Sequence, residues 1–298
     1  MSFSSDVKRK LCEIVPEKAC CRKAQLYGML EAGRSFSADR ISLQTESEAV
    51  AQLYQRLLQE VAGVTAMRSD AAGEETKFHT LSVPPEQCRR VWELFGQDAA
   101  SYAVRLNRAN LECDECAAAY LRGIFLTCGA MTTPQIGYHM EFSVPYYHLS
   151  RDWQALFAEW GLTAREIRRK GGYVLYFKES EQIEDCLTLM GAMSASLELM
   201  NIKMVKDIRN NANRITNCES ANIDKTVAAA ARQMAALHTI QNTCGLDALP
   251  EDLRELAALR LENPDYSLRE LGEALSRPIS RSGVNHRLER IMAFAEHL

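Results

Sequence analysis

Three groups of residues in this chain could do chemistry. The first is Ser280, Arg281, Ser282, Asn285, His286, Arg287 and Arg290, gathered at the start of the last helical pattern. Arginine pairs bidentately with guanine, asparagine pairs with adenine, and serine suits phosphate or either base. The chemistry implied is recognition of base edges. Residues 277–290 hold four arginines against Glu289, a net of +3. The second group is Lys203, Lys206 and Arg209, within an asparagine-rich run, 203–214, that also carries a net of +3. Its cations suit backbone phosphates. The third group is Cys20-Cys21 with Cys113-x-x-Cys116. Four thiols invite a zinc site, but Cys20 and Cys21 are adjacent and neither pair gives the CxxC…CxxC form, so no metal ligand is expected. The histidines are scattered, and there is no phosphate-cradling glycine loop or Walker-type lysine motif. No catalytic residue and no cofactor is expected.

The elements that must position these groups follow from patterning. Within 249–298, Pro250 starts a helix with a core face of Leu253, Leu256, Ala257 and Leu259, and Asn263-Pro264 ends it. Ser267-x-x-Glu270 is a capping box for a short second helix, and Ser280 caps a third that carries Val284, Leu288, Ile291 and Phe294. Three helices with a short second connection describe a helix-turn-helix, whose third helix enters a major groove. The alternative is a three-helix bundle for dimerisation or folding, with a solvated charged face. Residues 193–248 predict a helical basic linker, with a polar middle between two helical stretches and a hinge at 245–250.

The cysteines lie beside a stretch that occurs twice. Aligned on Gly28 and Gly123, the copies are 95 residues apart, with Cys21 matching Cys116, Ala24 matching Ala119 and Leu26 matching Leu121. Residues four apart share a helix face. Ala24, Gly28 and Ala32 therefore form one small-residue stripe, and Ala119, Gly123 and Thr127 its counterpart, which lets two backbones approach closely. Behind each copy come two strands, an amphipathic helix ended by glycine (Gly63, Gly161), two more strands and a closing helix. In the second half Ser150 is expected to cap the middle helix, and Gly171-Gly172 to turn a hairpin beside Arg165, Arg168, Arg169 and Lys170, which read equally well as phosphate contacts or as a solvated turn. The fold class is α+β: a 1–20 N-terminal extension, a duplicated αββαββα domain over 21–192 with halves 21–96 and 116–192, the helical linker, and the all-α module.

Of 298 residues, 47% are hydrophobic and 25% charged, which is ordinary for a globular chain. The net charge of −4 argues against indiscriminate polyanion binding but permits local basic faces. With no signal-peptide core or bilayer-length apolar run, a cytoplasmic, nucleoid-associated protein without a membrane partner is expected.

The C-terminal module resembles the helix-turn-helix that closes bacterial sigma factors, through Ser267-Leu268-Arg269-Glu270-Leu271-Gly272-Glu273 and Ser280-Arg281-Ser282-Gly283-Val284. The repeated unit is similar to LAGLIDADG homing endonucleases, in which two such units form a saddle of strands over DNA. Both together resemble the WhiA family of bacterial regulators over essentially the whole chain, carried by Cys20-Cys21-Arg22-Lys23-Ala24, Tyr120-Leu121-Arg122-Gly123 and Val205-Lys206-Asp207-Ile208-Arg209-Asn210-Asn211-Ala212-Asn213-Arg214. The resemblance implies a regulator that binds double-stranded DNA in cell division, chromosome maintenance and, where the organism sporulates, sporulation. Another regulator or RNA polymerase is an alternative partner. It also sets a test for cleavage. The motif's acids, one per half, share the metal ions that activate water. Three positions past the glycines stand Glu31 and Leu126; the motif's later acid is replaced by Gly33 and Cys128. One acid of a pair holds magnesium weakly, so no endonuclease activity is expected, and Glu31 is read as structural or a relic.

Overall fold

The computed structural model describes residues 2–70, 78–97, 103–169 and 171–298. They form two compact units, Met1–Asp207 and Ile208–Leu298.

The first unit opens with α1 (Phe3–Cys12), which buries Val7 and Leu11. The stretch expected to be an extension is thus part of the core, because its apolar residues fall on one helical face. The first repeat then runs α2 (Ala19–Glu31), β1 (Ser35–Phe36), β2 (Ile41–Thr45), α3 (Glu48–Ala62), β3 (Met67–Asp70), β4 (His79–Ser82) and α4 (Pro85–Leu94). The second runs α5 (Asp114–Cys128), β5 (Gly129–Met131), β6 (Met140–Val144), α6 (Tyr147–Glu159), β7 (Arg165–Arg169), β8 (Gly172–Phe177) and α7 (Ser180–Met190). Each repeat yields one antiparallel four-stranded sheet, ordered β1-β2-β4-β3 and β5-β6-β8-β7. The two sheets share the same topology, which establishes the duplication in three dimensions. Gly63 and Gly161 stop α3 and α6 at φ of 64° and 77°, conformations that glycine adopts without steric cost. Ser150 is not a cap. The helix α6 begins a turn earlier at Tyr147, and the Ser150 hydroxyl lies buried, donating to Tyr147 O (2.8 Å) and Glu166 Oε2 (3.1 Å).

Helices α2 and α5 cross at the centre of the unit. A Cβ on Gly28 would lie 2.4 Å from Tyr120 O, and one on Gly123 would lie 2.1 Å from Gln25 O. Residues 25 and 120 are themselves related by the 95-residue offset, so the two close approaches are mates across a pseudo-two-fold axis. The expected small-residue stripes are the seam, with Ala24 and Ala119 buried beside the glycines.

The expected linker is one continuous helix, α8 (Met193–Thr243). Its polar middle is exposed, and exposed helix tolerates polar residues, so composition alone mimicked a break. Its first turns bury Ala195 and Leu199 in the core of the first unit. Its last turns contribute Leu237 and Ile240 to the core of the second, together with Leu253, Leu256, Ala257, Leu271, Val284, Leu288 and Ile291.

In the second unit α9 (Glu251–Glu262), α10 (Leu268–Ala274) and α11 (Arg281–Glu296) have the expected order. Both halves of the Ser267/Glu270 capping box form, and Ser280 Oγ accepts from Gly283 N. Leu259 is only partly buried; Arg260 takes the inner position instead and donates to Tyr266 O. Gly272 has no room for a side chain, a Cβ there lying 2.5 Å from Ile279 O. The close contact between α10 and the chain before α11 depends on that glycine.

Candidate nucleic-acid interface

The α11 residues named from sequence divide by face. Val284, Leu288 and Ile291 point inward, leaving Ser280, Arg281, Ser282, Asn285 and His286 exposed along the first two turns. Ser280 and Ser282 hydroxyls lie 3.0 Å apart, and Asn285 Nδ2 donates to Glu289 Oε1 at 2.8 Å. Arg287 is half-buried beside the field of Asp252. Arg290 forms a 2.5 Å ion pair with Asp252 of α9, which holds that carboxyl below the usual range. This pair directs Arg290 toward fixing α9 against α11. The residues expected to read bases thus share one face, except that Arg290 and, in part, Arg287 are engaged in the fold.

The basic run behaves differently from the expectation. Lys203 pairs with Glu181 of α7, pushing that carboxyl down to about 2. Lys206 donates to Pro134 O at 2.6 Å and lies 4.9 Å above the Tyr138 ring. Both lysines dock the start of α8 onto the first unit, because neighbouring acceptors reach them there. Arg209 and Arg214 remain exposed. On the sheet hairpin Arg165 pairs with Glu179 (2.6 Å) and Arg169 with Glu141 (3.8 Å), while Arg168 is exposed. Lys170 lies outside the described residues.

Between the sheets, at the C-terminal ends of α2 and α5, is a groove of about 570 Å³, whose walls include Gly33, Arg34, Gln44, Cys128, Ser143 and Arg169. No carboxylate is among its described lining residues. The positions that reach it are the later ones of the motif, Gly33 and Cys128, where neither residue is an acid. Glu31 faces the helix seam instead, fully buried (0% exposed), with its Oε2 accepting from the Tyr120 hydroxyl, which also accepts from Trp153 Nε1 at 2.7 Å. Burial pushes the Glu31 carboxyl up to about 8, against the lowering effect of the Tyr120 and Tyr27 hydroxyls. Leu126, its counterpart, is buried too. A single carboxyl that is neutral at pH 7 and sealed from the groove does not fit a divalent ion, so the metal-dependent cleavage of active relatives has no ligand set here.

The third group, the cysteines whose spacing gave no expected metal ligand, comes together in space. The Sγ atoms of Cys20, Cys21, Cys113 and Cys116 all lie within 4.8 Å of one another. The spacing of the adjacent Cys20 and Cys21 argued against a site because two helix starts, rather than two loops, bring the thiols together.

The fold and groove define a LAGLIDADG-type scaffold without the cleavage acids, followed by a helix-turn-helix. Two family models match: the WhiA LAGLIDADG-like domain over residues 117–209 and the WhiA C-terminal HTH domain over residues 212–295. The probable cell division protein WhiA of Ruminiclostridium cellulolyticum is 36% identical, with 100% of this chain and 98% of that protein covered. Its namesake in Thermoanaerobacter pseudethanolicus is 38% identical, with 100% and 98% covered. Full-length WhiA from Thermotoga maritima, a crystal structure at 24% identity, shares the fold with a TM-score of 0.61 over 100% of this chain and 99% of that one. The chain belongs to the WhiA family. No helix among the described residues is long and apolar enough to cross a membrane.

Proposed function

We propose that the chain is a sequence-specific DNA-binding transcriptional regulator acting in cell division, chromosome maintenance and, where the organism sporulates, sporulation. The observation that carries this reading is the exposed face of α11, where Arg281, Ser282, Asn285 and His286 stand clear of the helix-turn-helix core. The resemblance of both domains to WhiA supports the biological setting, and double-stranded DNA in the nucleoid is the partner.

Arg281→Ala is expected to weaken binding to a preferred site by about 1–3 kcal/mol and to relax discrimination at one base pair. Fluorescence anisotropy of the full chain on matched and mismatched duplexes measures it. Equal losses on both duplexes would reduce Arg281 to a phosphate contact. Arg209→Ala should instead weaken all sequences alike and flatten the salt slope by about one unit. Lys206→Ala is expected to act on the docking of α8, with a smaller change in slope than Arg209→Ala. If removal of residues 249–298 left binding to that site intact, the helix-turn-helix assignment would fail. Supercoiled plasmid incubated with the chain and magnesium should stay uncut; nicking abolished by Glu31→Ala would restore the endonuclease reading.

A second reading is favoured by Met193, Leu197, Met200 and Met204, exposed large apolar residues at helical spacing on α8. They suit a protein partner such as another regulator or RNA polymerase, compatible with the first reading. A pull-down by the full chain that survives DNA digestion and is lost in Met200→Asp would support it.

A further inference from the structure

The four cysteines at the N-terminal ends of α2 and α5 have the geometry of a metal site. The Sγ separations are 3.5 Å for Cys113–Cys116, 3.6 Å for Cys21–Cys113, 3.7 Å for Cys20–Cys113 and 3.9 Å for Cys21–Cys116. A tetrahedron of thiolates around zinc, with bonds of about 2.3 Å, has edges of about 3.8 Å. Four of the six separations match that figure and the other two lie within 4.8 Å, whereas disulfide sulfurs would lie at about 2.0 Å, and all four thiols are free. An iron–sulfur cluster must fit several irons between its ligands and needs a wider spread. We propose that Cys20, Cys21, Cys113 and Cys116 bind one zinc ion that staples the two repeats together at the seam.

Two further observations point to a negatively charged centre here. Arg122 is 6% exposed, its Nε and Nη1 have no hydrogen-bond partner among the described residues, and the Cys21 thiol is the neighbour whose negative charge would favour its cation. A buried cation without a counter-charge is costly. Zinc held by four thiolates carries a net charge of −2, which supplies one. The helices also aim their N-termini at the cluster: Cys20 and Cys21 lie in the first turn of α2, Cys113 is the N-cap of α5, and Cys116 is in its first turn. The positive end of a helix dipole favours thiolate over thiol.

The pseudo-symmetry explains why this arrangement is one-sided. Cys21 and Cys116 are equivalent positions on the two repeats, but the mates of Cys20 and Cys113 are Glu115 and Lys18. Those two form a 2.7 Å ion pair. The same contact is therefore made twice across the axis, once by opposite charges and once by thiols. The thiol copy, joined to the two equivalent cysteines, completes a four-sulfur shell. A cleft of about 660 Å³ lined by Cys20, Arg22, Lys23, Glu60 and Glu112 gives an ion access.

The test is elemental analysis of the full chain purified in reductant without chelator. One zinc per chain is expected, with at least a tenfold loss in Cys113→Ser. Should that variant not fold, cobalt(II) added to the zinc-stripped wild-type chain decides the matter: an intense thiolate-to-cobalt charge-transfer band with tetrahedral visible bands is expected at one equivalent. Zinc removal should also lower the melting temperature of the first unit, since a ligand bound only by the folded state stabilises it. Less than a tenth of an equivalent of zinc together with no cobalt band overturns the proposal. So does iron in place of zinc, or a disulfide between any two of the four cysteines in the freshly purified reduced chain.

Discussion

Gly123→Ala is expected to destabilise the first unit by about 3 kcal/mol or more, and Gly28→Ala by a comparable amount. Ordinarily alanine in place of a helical glycine stabilises by about 1 kcal/mol, so the expected sign is the reverse of the helix-propensity effect. The reversal comes from what the methyl group would meet. At both positions it is a backbone carbonyl oxygen of the opposing helix, at 2.1 Å from Gly123 and 2.4 Å from Gly28. A flexible side chain could rotate away; a carbonyl held in a helix moves only if the helix moves. Insertion into a close-packed core costs about 1–3 kcal/mol even where side chains can yield. Gly137 is the control, because a Cβ there meets nothing within 4 Å, and Gly137→Ala should stay within about 0.5 kcal/mol of the parent. All three tryptophans, Trp92, Trp153 and Trp160, lie in the first unit, so urea unfolding followed by tryptophan fluorescence reports on that unit. Equal midpoints for Gly123→Ala and the parent would show that the helices cross differently.

That crossing was legible in the sequence because it is a packing requirement repeated twice. Matching glycines 95 residues apart name the contact and the symmetry together. The capping box at Ser267 and the glycine stops at Gly63 and Gly161 were legible for a related reason: each is a local backbone rule that few residues satisfy. The less legible features depend on what lies opposite. Lys203 and Lys206 look like phosphate ligands along the chain, yet Glu181, Pro134 and Tyr138 meet them in space. Arg290 resembles a base contact until Asp252 stands beside it. The cysteine cluster was noticed in the sequence but discounted, because metal-site spacing rules describe ligands in pairs on turns. Here the pairing is made by a pseudo-two-fold axis that joins positions more than ninety residues apart.

Glu31 shows the same dependence, with a consequence that can be measured. Its carboxyl ends α2 in the seam, where it is fully buried and titrates near 8 rather than 4.5. Burial disfavours the anion more than the hydroxyls of Tyr120 and Tyr27 favour it. Between pH 4.5 and 8 the folded chain therefore binds a proton at Glu31 that the unfolded chain has released. Stability from this group is fully present below the unfolded value and is lost as pH rises through the folded one. A shift of that size corresponds to a loss of roughly 5 kcal/mol by pH 9, at about 1.36 kcal/mol per pH unit. Glu31→Gln keeps the shape and removes the ionisation. The variant should be similar to the parent at pH 5 and more stable than it by several kcal/mol at pH 9, in urea unfolding read by tryptophan fluorescence. Other groups that titrate in this range are common to both chains and cancel in the difference. Parallel stability profiles from pH 5 to pH 9 would mean that Glu31 is charged in the fold. A charged Glu31 would also reopen the question of metal binding at the motif, since only the anion can act as a ligand. The neutral acid instead gives Glu31 a structural role: it accepts the Tyr120 hydroxyl across the pseudo-two-fold axis and joins the repeats from within.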